Sequence, residues 1–436
     1  MSAEELASNQ SATESVPEPV ARGVARWASS SHLAPPAMGT IALGFGVIAA
    51  VWLTVGSVRA AMIAFGALLA AFVTGRAARL MAGQAETVGT EWGLAVCATL
   101  TELAVYAGIA GSAMVNRPAA GMTGPLGSGL LHHTFLASFG GPGAGGVWRL
   151  AVVAAIMLAA LQLADVCRAA RQSTGTGPRG FQVFVASPGG ARLPLIGVVF
   201  LLAGARAAFL LLIVLGAAGF CVMLARGGGS EAGPGWLPAC RGDGPLAAWV
   251  GRFVGGRLPP LPPLLVGLLV TGMLAWLGLQ NLAGVLLFTP IEAMLLAALA
   301  SWHPHDGRSD WLVPPLLEAG ECVFIAAAGF AGRAWPPVTF ALLAAIGLRH
   351  LSLAYRARSW LPTGHRRRLP YADVRGLGWE GRMLVAGVAV AAGIVPFVFP
   401  VLALYLWTVV AWDVVGWPAG LGQQESSSAG HAAVDC

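Results

Sequence analysis

The sequence has little charge for its length. Only 11% of its 436 residues are charged, whereas 56% are hydrophobic and the mean hydropathy is +0.72. Soluble domains carry about 25% charged residues, so this composition excludes an ordinary soluble enzyme and a disordered protein. What remains is a polytopic membrane protein. The 59 glycines are typical of closely packed membrane helices, because small residues let helix backbones approach each other.

Lysine is missing altogether, since all 26 basic residues are arginine. This usage is typical of biased base composition, so the net charge of +6 does not indicate a nucleic-acid partner. The six cysteines show no C-x-x-C spacing, which argues against the common zinc and redox motifs. Residues 1–36 lack the basic start and early apolar core of a signal peptide. We predict disordered tails at 1–36, on the cytoplasmic side, and at 419–436.

Long apolar runs fill most of the remaining chain. Because a span needs roughly 20 apolar residues, the sequence predicts an all-α, polytopic integral membrane protein with about twelve transmembrane helices in two halves. The candidate spans are 39–57, 60–80, 93–115, 147–167, 193–205, 207–225, 262–281, 284–302, 311–331, 336–354, 381–397 and 398–416. The fifth and sixth candidates, like the last two, form either one long kinked helix or a tight hairpin. Pro396 and Pro400 favour a break in the last pair.

The positions of the arginines predict the orientation. Most of them fall in segments that are cytoplasmic if the N-terminus lies inside, as the positive-inside rule requires. We therefore expect a multi-pass protein of the inner (plasma) membrane with both termini cytoplasmic. A first membrane domain at 37–226 would be joined by a linker, 227–261, to a second membrane domain at 262–418.

A short motif lies directly after the second predicted span. The string from Thr74 to Arg79 and the glycine at 89 resemble the signature of CDP-alcohol phosphatidyltransferases, D-x-x-D-G-x-x-A-R followed by G-x-x-x-D-x-x-x-D. The residues at the family's G, A, R and G positions are Gly75, Ala78, Arg79 and Gly89. The resemblance implies a helical membrane fold with a cytoplasmic substrate site, and it makes these four residues candidates for substrate binding.

Two more arginines are candidate substrate-binding residues. Arg192 ends a stretch, 188–192, that resembles a segment found after the motif in bacterial members of the family. Arg356 lies where the tenth predicted span reaches the cytoplasm. It is either an interface anchor, as arginines there usually are, or part of a phosphate or headgroup site.

The four aspartates of the family signature are missing. In the family they hold two divalent cations, and their counterparts here are Ala71, Thr74, Gly93 and Cys97. Hard cations such as Mg²⁺ need oxygen ligands, mostly carboxylates. The sequence therefore predicts no catalytic residues and no metal site. Mg²⁺ or Mn²⁺ would be a cofactor only of an active transferase that uses other acids.

The second half looks like the uncharacterised membrane domain that comes after the transferase domain in some bacterial fusion proteins. The stretches that carry this resemblance are 243–246, 259–263, 303–311, 350–356 and 378–382. Ionisable residues inside spans are costly and are often functional. Here they are Glu102, Asp165, Glu292, Glu318, Glu321 and Asp413.

Three functions are open at this point. The first is a non-catalytic binding or partner subunit in envelope lipid or glycopolymer synthesis, in contact with membrane lipids and with a CDP-linked substrate or a partner enzyme. The second is an active phosphotransferase on a CDP-linked alcohol or lipid, and the third is a transporter or lipid flippase. We prefer the first, because the Gly, Ala and Arg positions are kept while the carboxylates are missing. The resemblance also implies a homodimer, the common state of the family.

Overall fold

The computed structural model describes residues 18–83, 87–115, 143–169, 192–225, 246, 249–250, 259–280, 282–299, 309–359 and 375–432. The elements assigned within these residues are all helical, which confirms the all-α class. They are α1 (Glu18–Ser30), α2 (Pro35–Val55), α3 (Val58–Ala82), α4 (Val88–Val115), α5 (Gly143–Ala169), α6 (Arg192–Ala203), α7 (Ala205–Ala225), α8 (Leu261–Leu279), α9 (Thr289–Leu299), α10 (Val313–Ala331), α11 (Pro336–Ser359), α12 (Gly378–Ala391) and α13 (Val395–Ala432), with short 3-10 helices at Ala283–Leu287 and Asp310–Leu312.

Nine of the described helices are long and apolar enough to cross a membrane. They are α2, α3, α4, α5, α7, α8, α10, α11 and α13, and each overlaps a predicted span. The chain is therefore a membrane protein with several apolar spans. The other three predicted spans fall on α6 with 12 residues, on α12 with 14 residues, and on the short apolar stretch Ala283–Leu296.

Two glycines break the helix pairs that the sequence left open. Gly204, with a φ of +87°, separates α6 from α7, and Gly393, with a φ of +69°, lies between α12 and α13. Glycine adopts this left-handed conformation without steric strain, so it can redirect the chain. Pro396 lies in the first turn of α13, where proline is tolerated, and Pro400 lies inside that helix. The break expected from the prolines is thus made by Gly393.

Part of the predicted N-terminal tail is helical instead of disordered. Residues 18–30 form α1, which packs on α3 with Ala21, Ala25 and Ala28 buried. Alanines spaced by three and four residues give a helix one apolar face, a pattern that the low hydropathy of the segment concealed. Helix α13 likewise extends to Ala432, into the predicted tail at 419–436.

Small residues allow α2 to lie directly against α4. A Cβ atom added to Gly108 of α4 would be 2.5 Å from the carbonyl oxygen of Ala50 on α2. One added to Gly46 of α2 would be 2.5 Å from Cγ2 of Thr101 on α4. Helix α2 also packs against α3. It therefore contacts both helices that carry the motif positions, α3 and α4.

Helix α5 joins the two parts of the fold. It packs against α4 and α7 from the first predicted half and against α10 and α11 from the second. Trp148 of α5 meets Phe340 of α11 edge to face, with 5.7 Å between ring centroids. Trp92 Nε1 of α4 donates a hydrogen bond to Ser352 Oγ of α11 at 3.3 Å. One apolar core therefore includes residues of both parts, and it places α11 beside the helices that carry the motif.

We expect Gly108→Ala to destabilise the protein by about 1–3 kcal/mol, because the added methyl group meets the backbone of α2. The matched control is Gly93→Ala on the same helix, where an added Cβ has no neighbour within 4 Å. It should be neutral or slightly stabilising, since alanine favours helix. Thermal unfolding of the detergent-solubilised variants measures both effects. Equal melting temperatures would contradict the close packing of α2 on α4.

Candidate functional site

Positions of the sequence motif meet in one cavity between α2, α3, α4 and α6. Ala71, Gly75 and Arg79 of α3 and Cys97 of α4 line it. Residues four apart lie on the same face of a helix, so α3 presents its three residues to the cavity together. The other lining residues are small or uncharged: Gly39, Ala42, Leu94, Ala98, Thr101 and Leu193. We name this space the motif cavity.

None of the described residues that line the motif cavity carries a carboxylate. Ala71 and Cys97 are two of the four residues that the resemblance described above sets against the aspartates of the family signature. Of the other two, Thr74 donates its hydroxyl to the carbonyl oxygen of Ala70 at 2.7 Å, and Gly93 faces open space. Within the described part of the chain, no group of three His, Cys, Asp or Glu side chains is arranged to hold a metal ion.

Arg79 is the charged residue of the cavity lining. The guanidinium of Arg79 interacts electrostatically with three charged side chains, Arg76, Arg192 and Glu102. The side chain of Tyr355 on α11 is also close enough for such an interaction. The negative charge of Glu102 is balanced by Arg192. Arg76 thus places a second positive group near Arg79 at this end of α3, and positive groups attract anions.

Glu102 and Arg192 form a buried ion pair. Arg192 Nε donates to Glu102 Oε1 at 2.9 Å, and Nη2 lies 2.6 Å from Oε2. The hydroxyl of Tyr106, one turn further along α4, donates to Oε2 at 3.4 Å. The pair fastens the first residue of α6 to the middle of α4. It thereby holds the next residue, Leu193, in the wall of the motif cavity.

The structure brings only some of the candidate substrate-binding residues together. Gly75 and Arg79 line the motif cavity. Ala78 is fully buried in the cluster that packs α1 against α3, and Gly89 lies in the first turn of α4, outside the lining. Arg192 supports the cavity through its bond to Glu102 and does not line it.

Arg356 lies apart from these residues. Its guanidinium pairs with Asp413 of α13, which Arg349 also binds. Helix α11 instead meets α4 through Arg358, whose Nη1 donates to Glu91 Oε2 at 2.8 Å. The contacts of Arg356 therefore join α11 to α13, two helices of the second half.

A second buried polar group, which we name the second-half cluster, consists of Glu321, His350 and Arg382. Arg382 donates from Nε to Glu321 Oε1 at 2.5 Å and from Nη2 to Oε2 at 2.9 Å. His350 Nε2 is 2.9 Å from the same Oε2. The side chains are at most 1% exposed. Sequence reasoning found the acid and missed its partners, although an arginine at the start of a predicted span was an available signal.

The comparisons with known proteins concern the second part of the chain. A family model described as a family of unknown function (DUF5941) matches residues 236–417. This range covers the second predicted membrane domain except its last residue, and it does not include the motif. Neither the comparison with curated proteins nor that with solved structures finds a match.

We expect Arg192→Gln to lower stability by about 3–5 kcal/mol, because it leaves Glu102 buried without a cation. Glu102→Gln should be comparably harmful, because Arg192 then lacks its carboxylate. The double variant should recover much of the loss, since no unpaired charge remains. Thermal unfolding of the four proteins completes a double-mutant cycle, and additive losses would contradict the pairing.

Proposed function

We propose that the protein is a non-catalytic relative of CDP-alcohol phosphatidyltransferases that binds a phosphate-bearing ligand in the motif cavity. The ligand would be a CDP-linked substrate or a lipid head group. The observation that supports this most is the meeting of Ala71, Gly75, Arg79 and Cys97, from two helices, in the lining of one cavity. These are positions that the family resemblance assigns to the substrate and metal site.

The charge of the lining favours a phosphate-bearing ligand. Arginine presents a planar fork of donors that matches phosphate oxygens, and Arg79 has Arg76 as a second positive group nearby. The other lining residues carry no charge, so Arg79 is the group of the lining that an anion would meet. The same cavity is closed on the α6 side by Leu193.

We expect no turnover because the described residues that line the motif cavity include no carboxylate. Two bridging metals, which neutralise the transferring phosphoryl group, need several carboxylates around them. Among the described residues near the motif cavity, Glu102 is the acid that acts on Arg79. Both of its oxygens already interact with Arg192. In this proposal Glu102 is structural, and the cavity binds without catalysing transfer.

The proposal also covers the arrangement in the membrane and the cellular role. In this arrangement the protein has twelve spans in two halves. Nine are the long apolar helices, and the other three are α6, α12 and the stretch Ala283–Leu296. Both termini lie on the cytoplasmic side of the inner membrane. The role is that of a binding or partner subunit in envelope lipid or glycopolymer synthesis, and it rests on the family resemblance.

The binding proposal is tested by the thermal shift of the purified protein with CDP-linked alcohols, with and without Mg²⁺ or Mn²⁺. CMP release is assayed in the same samples. We expect stabilisation that does not depend on metal and no CMP. Metal-dependent stabilisation with CMP release would show an active transferase, and no stabilisation would contradict a nucleotide-linked or lipid-linked ligand.

Two variants of α3 sharpen this test. Arg79→Gln should abolish the ligand-induced shift, because it removes the guanidinium from the cavity lining. Arg59→Gln changes an exposed arginine near the opposite end of the same helix and should keep the full shift. Equal shifts in the two variants would place the ligand outside the motif cavity.

The span count is tested by the sides on which the termini lie. Twelve crossings put both termini on the same side of the membrane, whereas nine put them on opposite sides. Reporter fusions that are active on one side only, made separately at each terminus, distinguish the two cases. We expect both fusions to report the cytoplasm. Opposite signals would contradict twelve crossings and would agree with nine, in which the three short segments do not cross the membrane.

A further inference from the structure

Glu318 lies next to the second-half cluster without sharing its contacts. It precedes Glu321 by three residues on α10, so both point to the same face of the helix. The side chain is 1% exposed, and neither carboxyl oxygen has a hydrogen-bond partner among the described residues. Oε1 lies 3.6 Å from the position that a Cβ of Gly347 would take. The carboxyl group therefore occupies the interface of α10 and α11.

The neighbouring charges do not balance an ionised Glu318. The charged groups that act on it are Glu321 and Arg382. These two bind each other through two hydrogen bonds, so their charges cancel. A carboxylate at Glu318 would leave one net negative charge in the protein core, which is strongly unfavourable in a low-dielectric environment.

The facing helix has an unused ring nitrogen. His350 lies three residues after Gly347 on α11, and its Nδ1 is buried without a partner among the described residues. Its Nε2 is 2.9 Å from Glu321 Oε2 and 3.1 Å from Arg382 Nη2. The carboxyl group of Glu318 and the Nδ1 atom of His350 are thus two polar groups on adjacent helices that lack a hydrogen-bond partner among the described residues.

We propose that Glu318 is a proton-binding site in the membrane-embedded core of the second half. With the proton bound and the imidazole of His350 neutral, the group formed by Glu318, Glu321, His350 and Arg382 has no net charge. Transfer of the proton to a water molecule breaks the O–H bond of Glu318 and leaves the bonding electron pair on a carboxylate, so the same group gains one negative charge. The inference does not depend on the function proposed for the motif cavity.

Two features connect this site to its surroundings. Leu317, Gly320 and Glu321, which flank Glu318 in sequence, line a cavity between α8, α9, α10 and α12. On the other side, a Cβ at Gly347 would be 2.9 Å from Cβ of Ala159 on α5. Loss of the proton would therefore place a charge where α10 and α11 meet α5, the helix that joins both halves.

Two other titratable groups lie near the site. Cys322 comes directly after Glu321 on α10 and is a buried thiol, which is neutral when apolar surroundings desolvate it. Across the cavity, Thr271 on α8 donates its hydroxyl to Glu292 Oε2 at 3.3 Å, whereas Oε1 is buried without a partner among the described residues. Glu292 is therefore a second acid of the same half whose band has to be separated from that of Glu318, and its own variant does this.

Infrared spectroscopy of the full chain in lipid nanodiscs tests the proposal. At pH 7 a solvent-exposed glutamate, with an ordinary pKa of about 4.3, gives no carboxylic-acid C=O band. We expect the wild type to show such a band, Glu318→Gln to lose a component of it, and Glu292→Gln to keep that component. An unchanged band in Glu318→Gln would overturn the proposal.

A second variant keeps the test decisive if Glu318→Gln does not fold. Glu318→Asp retains the acid, so the component should move in frequency and remain present. A spectrum identical to that of the wild type would overturn the proposal. So would stabilisation of the wild type by Na⁺ without an acid band, because the ligand would then be a metal cation.

Discussion

A charged side chain inside a membrane protein must have a partner of opposite charge, and this constraint organises the structure. Two long spans carry an acid near their middle, Glu102 on α4 and Glu321 on α10. Each acid binds an arginine with two contacts, Arg192 at the start of α6 and Arg382 on α12. Both arginines belong to helices too short to meet the length of a span. The ion pairs thus fasten the short helices to the long ones in both parts of the chain.

This use of acids as structural anchors shapes the motif cavity. Glu102 is bound to Arg192 and does not line the cavity. Arg79 is therefore the charged residue of the described lining, and the residues around it are small or uncharged. Binding of an anion needs no further acid, whereas metal-assisted transfer does. Glu318 differs from Glu102 and Glu321 in that neither of its carboxyl oxygens has a hydrogen-bond partner among the described residues. That difference makes it a candidate for proton binding while the other two acids stabilise the fold.

The sequence predicted those features that depend on local pattern. Apolar runs located the nine long spans. Pairings between residues far apart in the chain, such as Glu102 with Arg192, could not be derived, because no pattern relates their positions. Arg356 was considered either an interface anchor or part of a phosphate or headgroup site, and its pairing with Asp413 could not be derived from its position at a span end either.

The helix break in the last pair of spans was predicted, but a different residue makes it. Proline was expected to interrupt the last pair of spans, yet proline is compatible with a first helical turn. A left-handed glycine such as Gly393 is hard to recognise among the 59 glycines of the chain, most of which could equally serve close helix packing. The α1 helix was missed because its buried apolar residues are alanines, Ala21, Ala25 and Ala28, in a segment of low overall hydropathy.

The central claim is that Arg79 holds a phosphate-bearing ligand in the motif cavity. Native mass spectrometry of the protein released directly from membranes tests it, because the bound molecule is identified by its mass and need not be chosen beforehand. The account predicts that a phosphate-bearing lipid or nucleotide-linked molecule stays bound to the wild type and to Arg59→Gln and is lost from Arg79→Gln. The same bound molecules on all three proteins would contradict it.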